Sequence, residues 1–186
     1  MAGIFKGLGG ASSNKDANYV RPCQNISMIR ECKIIENRKK ETFFLCNLTC
    51  IHDLDPKNFV PGKVGHSVGE DYTVMYKASS DSFLPNVKAF LCGVCGLPEE
   101  AIGEEEAEKV CGYDQPLFGT FVELHARNIV TRAGTDYTKV SIKREVPPQE
   151  AQEFFEALGE KGKVLLTRLL PNNALARLVE AAAAAA

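Results

Sequence analysis

Residues 117–144, LFGTFVELHARNIVTRAGTDYTKVSIKR, decide the fold. Two runs with alternating side chains flank a short link that carries Arg132, Gly134 and Asp136. On the first run Phe118, Thr120, Val122, Leu124 and Ala126 fall on one face, and Phe121, Glu123, His125 and Arg127 on the other. On the second run Val140 and Ile142 turn to the apolar side, which leaves Tyr137, Lys139, Ser141 and Lys143 outside. The pattern predicts a β-hairpin with one buried face and one aromatic, basic face.

Strand character recurs towards the N-terminus. Residues 26–36 alternate, with Ile26, Met28, Cys32 and Ile34 on one face, and residues 41–52 are rich in Phe, Leu, Thr and Ile. Asn37, Arg38, Lys39 and Lys40 lie between them at the tip of a second predicted hairpin. Residues 53–70 hold Pro56, Pro61, Gly62, Gly65 and Gly69 and read as a turn-rich connection. A third strand follows over 72–77, with Tyr72, Val74 and Tyr76 on one side.

The first helix is bounded by Ser82 as cap, Pro85 in the first turn, and Gly96 with Pro98 as the stop. Val87, Phe90, Leu91, Val94 and Cys95 recur at helical spacing, as on a helix laid against a core. Residues 98–110, with Glu104, Glu105 and Glu106, read as a short polar helix or loop with a solvated face. After Pro147 and Pro148 the pattern is helical, with Phe154, Phe155 and Leu158 as a stripe before Gly159. A Leu-rich stretch over 163–180 is interrupted at Pro171, Asn172 and Asn173, and six alanines end the sequence.

Five strands, a helix between the third and fourth, and helices at the end predict a mainly β chain of the α+β class. Its expected centre is a five-stranded antiparallel barrel of oligonucleotide-binding (OB) type. The predicted organisation is a flexible N-terminal arm over 1–20, a barrel domain over 21–146 and a C-terminal helical extension over 147–186.

Composition narrows the function. The 186 residues are 45% apolar and carry a net charge of −2, with a sequence pI of about 6.0. An anionic ligand must therefore be met by a local patch. No apolar run is long enough to cross a bilayer, and the N-terminal residues lack the apolar core of a secretory signal, so an intracellular protein is expected. Seven cysteines, an odd number, favour free thiols in a reducing compartment.

The pair Cys92 and Cys95 closes a helix, where the dipole disfavours a thiolate, so a redox motif is not expected. Cys46 and Cys50 lie four apart on one strand face and, with Cys92 and Cys95, would complete a four-thiolate zinc site. Phe44 and Leu48 share that strand face, so buried packing thiols are the simpler reading. His52, His66 and His125 are dispersed, and no nucleophile–base arrangement is recognisable. Neither catalysis nor a cofactor is expected.

Binding single strands without sequence preference requires cations along a groove and aromatic faces for bases. The loop between strands one and two supplies Arg38, Lys39 and Lys40, and the loop between strands four and five supplies Arg132. Tyr137, Lys139 and Lys143 continue along the exposed strand, with Arg127 on its neighbour. Tyr76 and Lys77 on strand three are further candidates, although Tyr76 shares its face with Val74 and reads equally as core.

MAGIFKGLGGASSNKDANYVRP at residues 1–22, NVKAFLCGVCGLP at 86–98 and LFGTFVELHARNIVTRAGTDYTKVSIKRE at 117–145 resemble the single-stranded DNA-binding proteins of tailed bacteriophages. The resemblance spans roughly residues 1–145. It implies an OB-type fold and non-catalytic coating of displaced strands during phage replication or recombination, in the cytoplasm of the infected bacterium. Single-stranded DNA is the implied partner. Self-association, and contacts with replication or recombination proteins through the C-terminal extension, are further expectations. The rival reading is a structural or assembly protein of a phage particle that touches only protein subunits; the weakly acidic net charge favours it, and the paired basic loops favour DNA.

Overall fold

The computed structural model describes residues 18–130, 134 and 136–185. The expected N-terminal arm up to residue 17, and Arg132, lie outside the described residues. Five strands, β1 (Cys23–Glu36), β2 (Thr42–Asp53), β3 (Asp71–Lys77), β4 (Phe121–Val130) and β5 (Asp136–Val146), form one antiparallel sheet in the order β3-β2-β1-β4-β5. The helices are α1 (Phe83–Cys95), α2 (Glu104–Val110), α3 (Pro148–Ala157), α4 (Glu160–Leu169) and α5 (Ala174–Ala185). Helix and strand take nearly equal shares, so the chain is mixed α+β and not mainly β.

The sheet does not close. β3 and β5 are its edges, and no ladder joins them among the described residues. α1 occupies the space between the edges and packs against β5 through Gly93, where an added Cβ would come within 2.6 Å of the Ile142 Cβ. At its first turn, Asn86 Nδ2 donates to the Tyr137 hydroxyl at 3.0 Å. Ser82 precedes the helix as expected, but its side chain makes no capping bond to the backbone; its Oγ accepts from Asn86 Nδ2 at 3.2 Å instead.

Two apolar clusters lie on opposite sides of the sheet. Between the sheet and α1, Phe44 is stacked on Tyr76 at 6.0 Å and meets the edge of Phe90 at 5.7 Å, with Leu48, Leu91, Val94, Val122 and Leu124 around them. On the outer side Ile26, Met28, Ile51, Phe121 and Val146 are roofed by Ala151, Phe155, Leu165, Leu169 and Leu175 of α3–α5. The C-terminal helices are thus half of a second core and not an appendage.

One β-bulge in β1 and one in β2 interrupt their pairing, and the one in β1 corrects the predicted strand faces. The register slips between Ile26 and Ser27 and again between Ile29 and Glu31. The first slip leaves Ile51 of β2 unpaired and the second leaves Arg30 of β1; the extra residue at Arg30 reverses the β1 alternation, so Ile26 and Met28 point to α3–α5 while Cys32 points to α1. Phe121, expected on an exposed face, is 1% exposed beneath the roof.

Candidate nucleic-acid interface

The roof covers only half of the sheet's outer face. Beyond it three rows of side chains cross β1, β2 and β3: Glu31, Asn47 and Thr73; Lys33, Leu45 and Met75; Ile35, Phe43 and Lys77. Their inward neighbours Phe44, Cys46, Val74 and Tyr76 fill the core, so alternation sends these outward. Phe43, Leu45 and Ile35 are half-buried and Met75 is exposed. Tyr19, bridged to Thr73 along the β3 edge, extends the surface and is 50% exposed.

Polar contacts hold this face in place. Thr73 Oγ1 donates to Asn47 Oδ1 at 2.9 Å, Asn47 Nδ2 to Glu31 Oε2 at 3.0 Å, and Lys33 Nζ to the same carboxylate at 2.7 Å. The β1–β2 turn adjoins the face. Asn37 organises it: its Oδ1 accepts the N–H groups of Lys39 at 2.8 Å and Glu41 at 3.0 Å, and Lys40 takes φ of 59° to complete the hairpin. Arg38, Lys39 and Lys40 all stand exposed at the tip. Lys77 Nζ reaches Glu41 at 2.5 Å and ties the end of β3 to the turn, and this contact, then Asn37, holds the Glu41 carboxyl below its ordinary value.

The sequence-predicted residues fall into two groups. Arg38, Lys39, Lys40 and Lys77 gather at one end of the open face, whereas Arg127 and Lys139 face one another across β4 and β5 and Lys143 lies further along β5, all three exposed. Along the ladder the groups sit at opposite ends of β1. The curl of the sheet shortens that path, because the Asn86–Tyr137 bond brings the start of β5 to the helix that follows Lys77.

Tyr76 is 6% exposed and stacked on Phe44, so it is a core residue and presents no ring to a base; burial pushes its hydroxyl pKa up. Tyr137 is half-buried, with its hydroxyl engaged by Asn86. The aromatic surface that the structure does offer, Phe43 with Tyr19, was missed in the sequence. Phe43 precedes an obvious core residue, and only the β1–β2–β3 register shows that it shares a face with Lys33 and Lys77.

The cysteines are packing residues. Among the described residues no three His, Cys, Asp or Glu side chains converge as metal ligands, so the thiolate set Cys46, Cys50, Cys92 and Cys95 is not assembled. Burial pushes Cys23 up to about 12 and Cys111 up to about 11, and it raises Cys46 and Cys50 well above the ordinary thiol value.

No known protein family and no curated protein sequence matches this chain. No helix among the described residues is long and apolar enough to cross a membrane.

Proposed function

We propose that the protein binds single-stranded DNA without sequence preference and without catalysis, as a coating protein of phage replication or recombination in the host cytoplasm. The observation that carries this reading is the open outer face of β1–β3, where Phe43, Leu45 and Met75 lie among Lys33 and Lys77 beside the Arg38–Lys40 turn. The half-buried Phe43 ring gives a base a surface to stack on, and the cations of the Arg38–Lys40 turn follow the phosphates.

The strand order and the helix between β3 and β4 agree with an OB-type barrel whose β3–β5 seam is bridged by α1 instead of a ladder. In that fold the second and third strands and the loop between the first and second form the oligonucleotide surface. Arg127, Lys139 and Lys143 would extend the track along β4 and β5, and Arg132 belongs to the same proposal from the link between them.

Fluorescence polarisation of labelled oligonucleotides at two salt concentrations tests the reading. Affinity for a single strand should fall with salt, with a log–log slope of about −0.7 for each phosphate neutralised. Duplex of equal length should bind much more weakly, since its bases are already stacked. Absence of binding to a long single strand at low salt would leave the assembly-protein reading in its place.

A further inference from the structure

The pairing along the second edge of β1 stops before the strand does. Beyond β4 that edge is continued by the 112–120 segment, with Gly119 N–H donating to the Ile29 carbonyl at 3.0 Å and Ile29 N–H to Thr120 at 2.8 Å. Gln115 then acts as a one-residue strand: its Oε1 accepts the Cys32 N–H at 2.8 Å and its Nε2 donates to the Cys32 carbonyl at 2.9 Å. Since Cys32 directs both backbone groups away from β2, alternation directs those of Ile34 and Glu36 the same way. Among the described residues nothing meets them.

This unpaired edge borders a cavity of about 560 Å³ between β1, α1 and α2. Its walls include Ile34, Leu84, Val87 and Ile102, and Ile34 and Leu84 are 51% and 73% exposed. The lining residues Glu104 and Glu108 of α2 are exposed, as is Glu36 on the edge itself.

We propose that this edge and groove form a docking site for a partner protein's peptide strand. The strand is extended, apolar at alternate positions, and carries lysine or arginine. Each property follows from a separate feature. Unpaired N–H and C=O groups in a row are satisfied by another extended backbone, and the period-2 alternation of that backbone delivers every second side chain into the groove. The carboxylates of Glu36, Glu104 and Glu108 outnumber the one lysine of the lining, Lys88, so the groove selects cations, repels phosphate and is not a second DNA surface. They also disfavour a second copy, because edge-to-edge pairing would bring two Glu36 side chains and two acidic helices together.

The probe is the labelled, end-blocked peptide Lys-Val-Thr-Val-Thr-Val-Lys, titrated into the full chain. Saturable binding is expected, with hydrogen exchange of the Ile34 and Glu36 amides slowed at least about tenfold on forming these bonds. Methylating alternate peptide nitrogens should abolish binding in one phase only, the phase that faces β1. Glutamates in place of the lysines should weaken binding by about tenfold or more, the equivalent of two rim ion pairs. Ile34→Pro removes the outward N–H together with the Ile34 wall of the groove and should abolish binding with the melting temperature kept; Leu84→Glu, at an exposed position, should weaken it. The proposal is overturned by failure of this peptide to bind, by binding without protection of Ile34 and Glu36, or by equal affinity of the glutamate peptide. It is overturned equally if those two amides are already protected in the free protein, which would assign the edge to the chain's own N-terminal residues, or to a second copy where protection rises with concentration. None of these readouts uses DNA, so the outcome is separate from that of the DNA-binding reading.

Discussion

The outer surface of one sheet is finished in two ways. Over its lower half Ile26, Met28, Ile51, Phe121 and Val146 are sealed by α3–α5, whereas over its upper half Ile35, Phe43 and Leu45 are half-buried and Met75 is open. Both halves carry apolar side chains on the same strands, so hydrophobicity alone does not separate them. What differs is the company: under the roof the side chains gather into one apolar cluster, and the open half interleaves Glu31, Lys33, Asn47, Thr73 and Lys77 among its apolar residues. A face of the second kind is poor as a core and suited to a ligand that is part ring and part charge.

The largest expected effect lies on the roofed half. Leu169→Ala leaves a cavity where a 1% exposed side chain sat over the sheet and should cost about 2–5 kcal/mol of stability. DNA affinity of the folded protein should not change. Denaturant unfolding with a parallel titration checks both, and a stable variant with weakened binding would reverse the assignment of the two halves.

A second effect concerns the clamp that joins the roof's border to the N-terminal segment. His66 is 1% exposed and stacked on Tyr72 at 3.9 Å, and its Nε2 accepts the Arg21 N–H at 3.1 Å. Burial, and then Arg21, lower its pKa to about 4. Burial opposes ionisation of Glu70, but bonds from Arg21, Asn18 and the Ser67 N–H outweigh it and hold that carboxyl at about 2. Both groups therefore take up protons more readily in the unfolded chain. The His66 contribution is complete above its ordinary value near 6.5 and is lost as pH falls through about 4. The Glu70 contribution is complete above about 4.5 and is lost towards 2. Melting temperature should decline from pH 6.5 downward, and His66→Asn should flatten the upper part of that decline; an unchanged profile would show that His66 does not govern it.

Much of the fold was legible in the sequence, and what escaped has physical reasons. Alternation found all five strands, and Gly96 with Pro98 found the end of α1, because those signals are local. The bulges at Arg30 and Ile51 left no local mark, since an extra residue is visible only against the strand that it fails to pair with. The same blindness hid the outer face: Phe43, Lys33 and Lys77 are brought together by register, not by spacing. Tyr76 illustrates the converse, for its spacing allowed a binding or a core role and packing against Phe44 selected the core.

A third effect compares two rings. Phe43→Ala removes a stacking surface at a half-buried site and should weaken single-strand binding by about 1–3 kcal/mol without altering the salt slope. Tyr137→Ala removes the bond from Asn86 and should instead cost about 1 kcal/mol of stability, with affinity kept. Melting and polarisation on the two variants would invert the comparison if Tyr137 carried the binding loss.

The smallest effects separate cations at the tip of the open face from those within it. Arg38, Lys39 and Lys40 stand exposed on a turn that is held by Asn37, so their replacement disturbs no core. Each that touches a phosphate should flatten the salt slope by about 0.7 when changed to alanine. Lys77 is placed differently, because its ammonium is already 2.5 Å from Glu41 and would have to leave that carboxylate to meet a phosphate. Lys77→Ala should therefore leave the slope nearly unchanged while lowering affinity, since it uncovers the Glu41 charge beside the ligand. Glu41→Gln should act oppositely, raising affinity by releasing Lys77 and steepening the slope. Binding isotherms at three or more salt concentrations for Lys39→Ala, Lys77→Ala and Glu41→Gln decide the matter: a flattened slope in Lys77→Ala, or none in Lys39→Ala, would move the phosphate track from the turn onto the sheet.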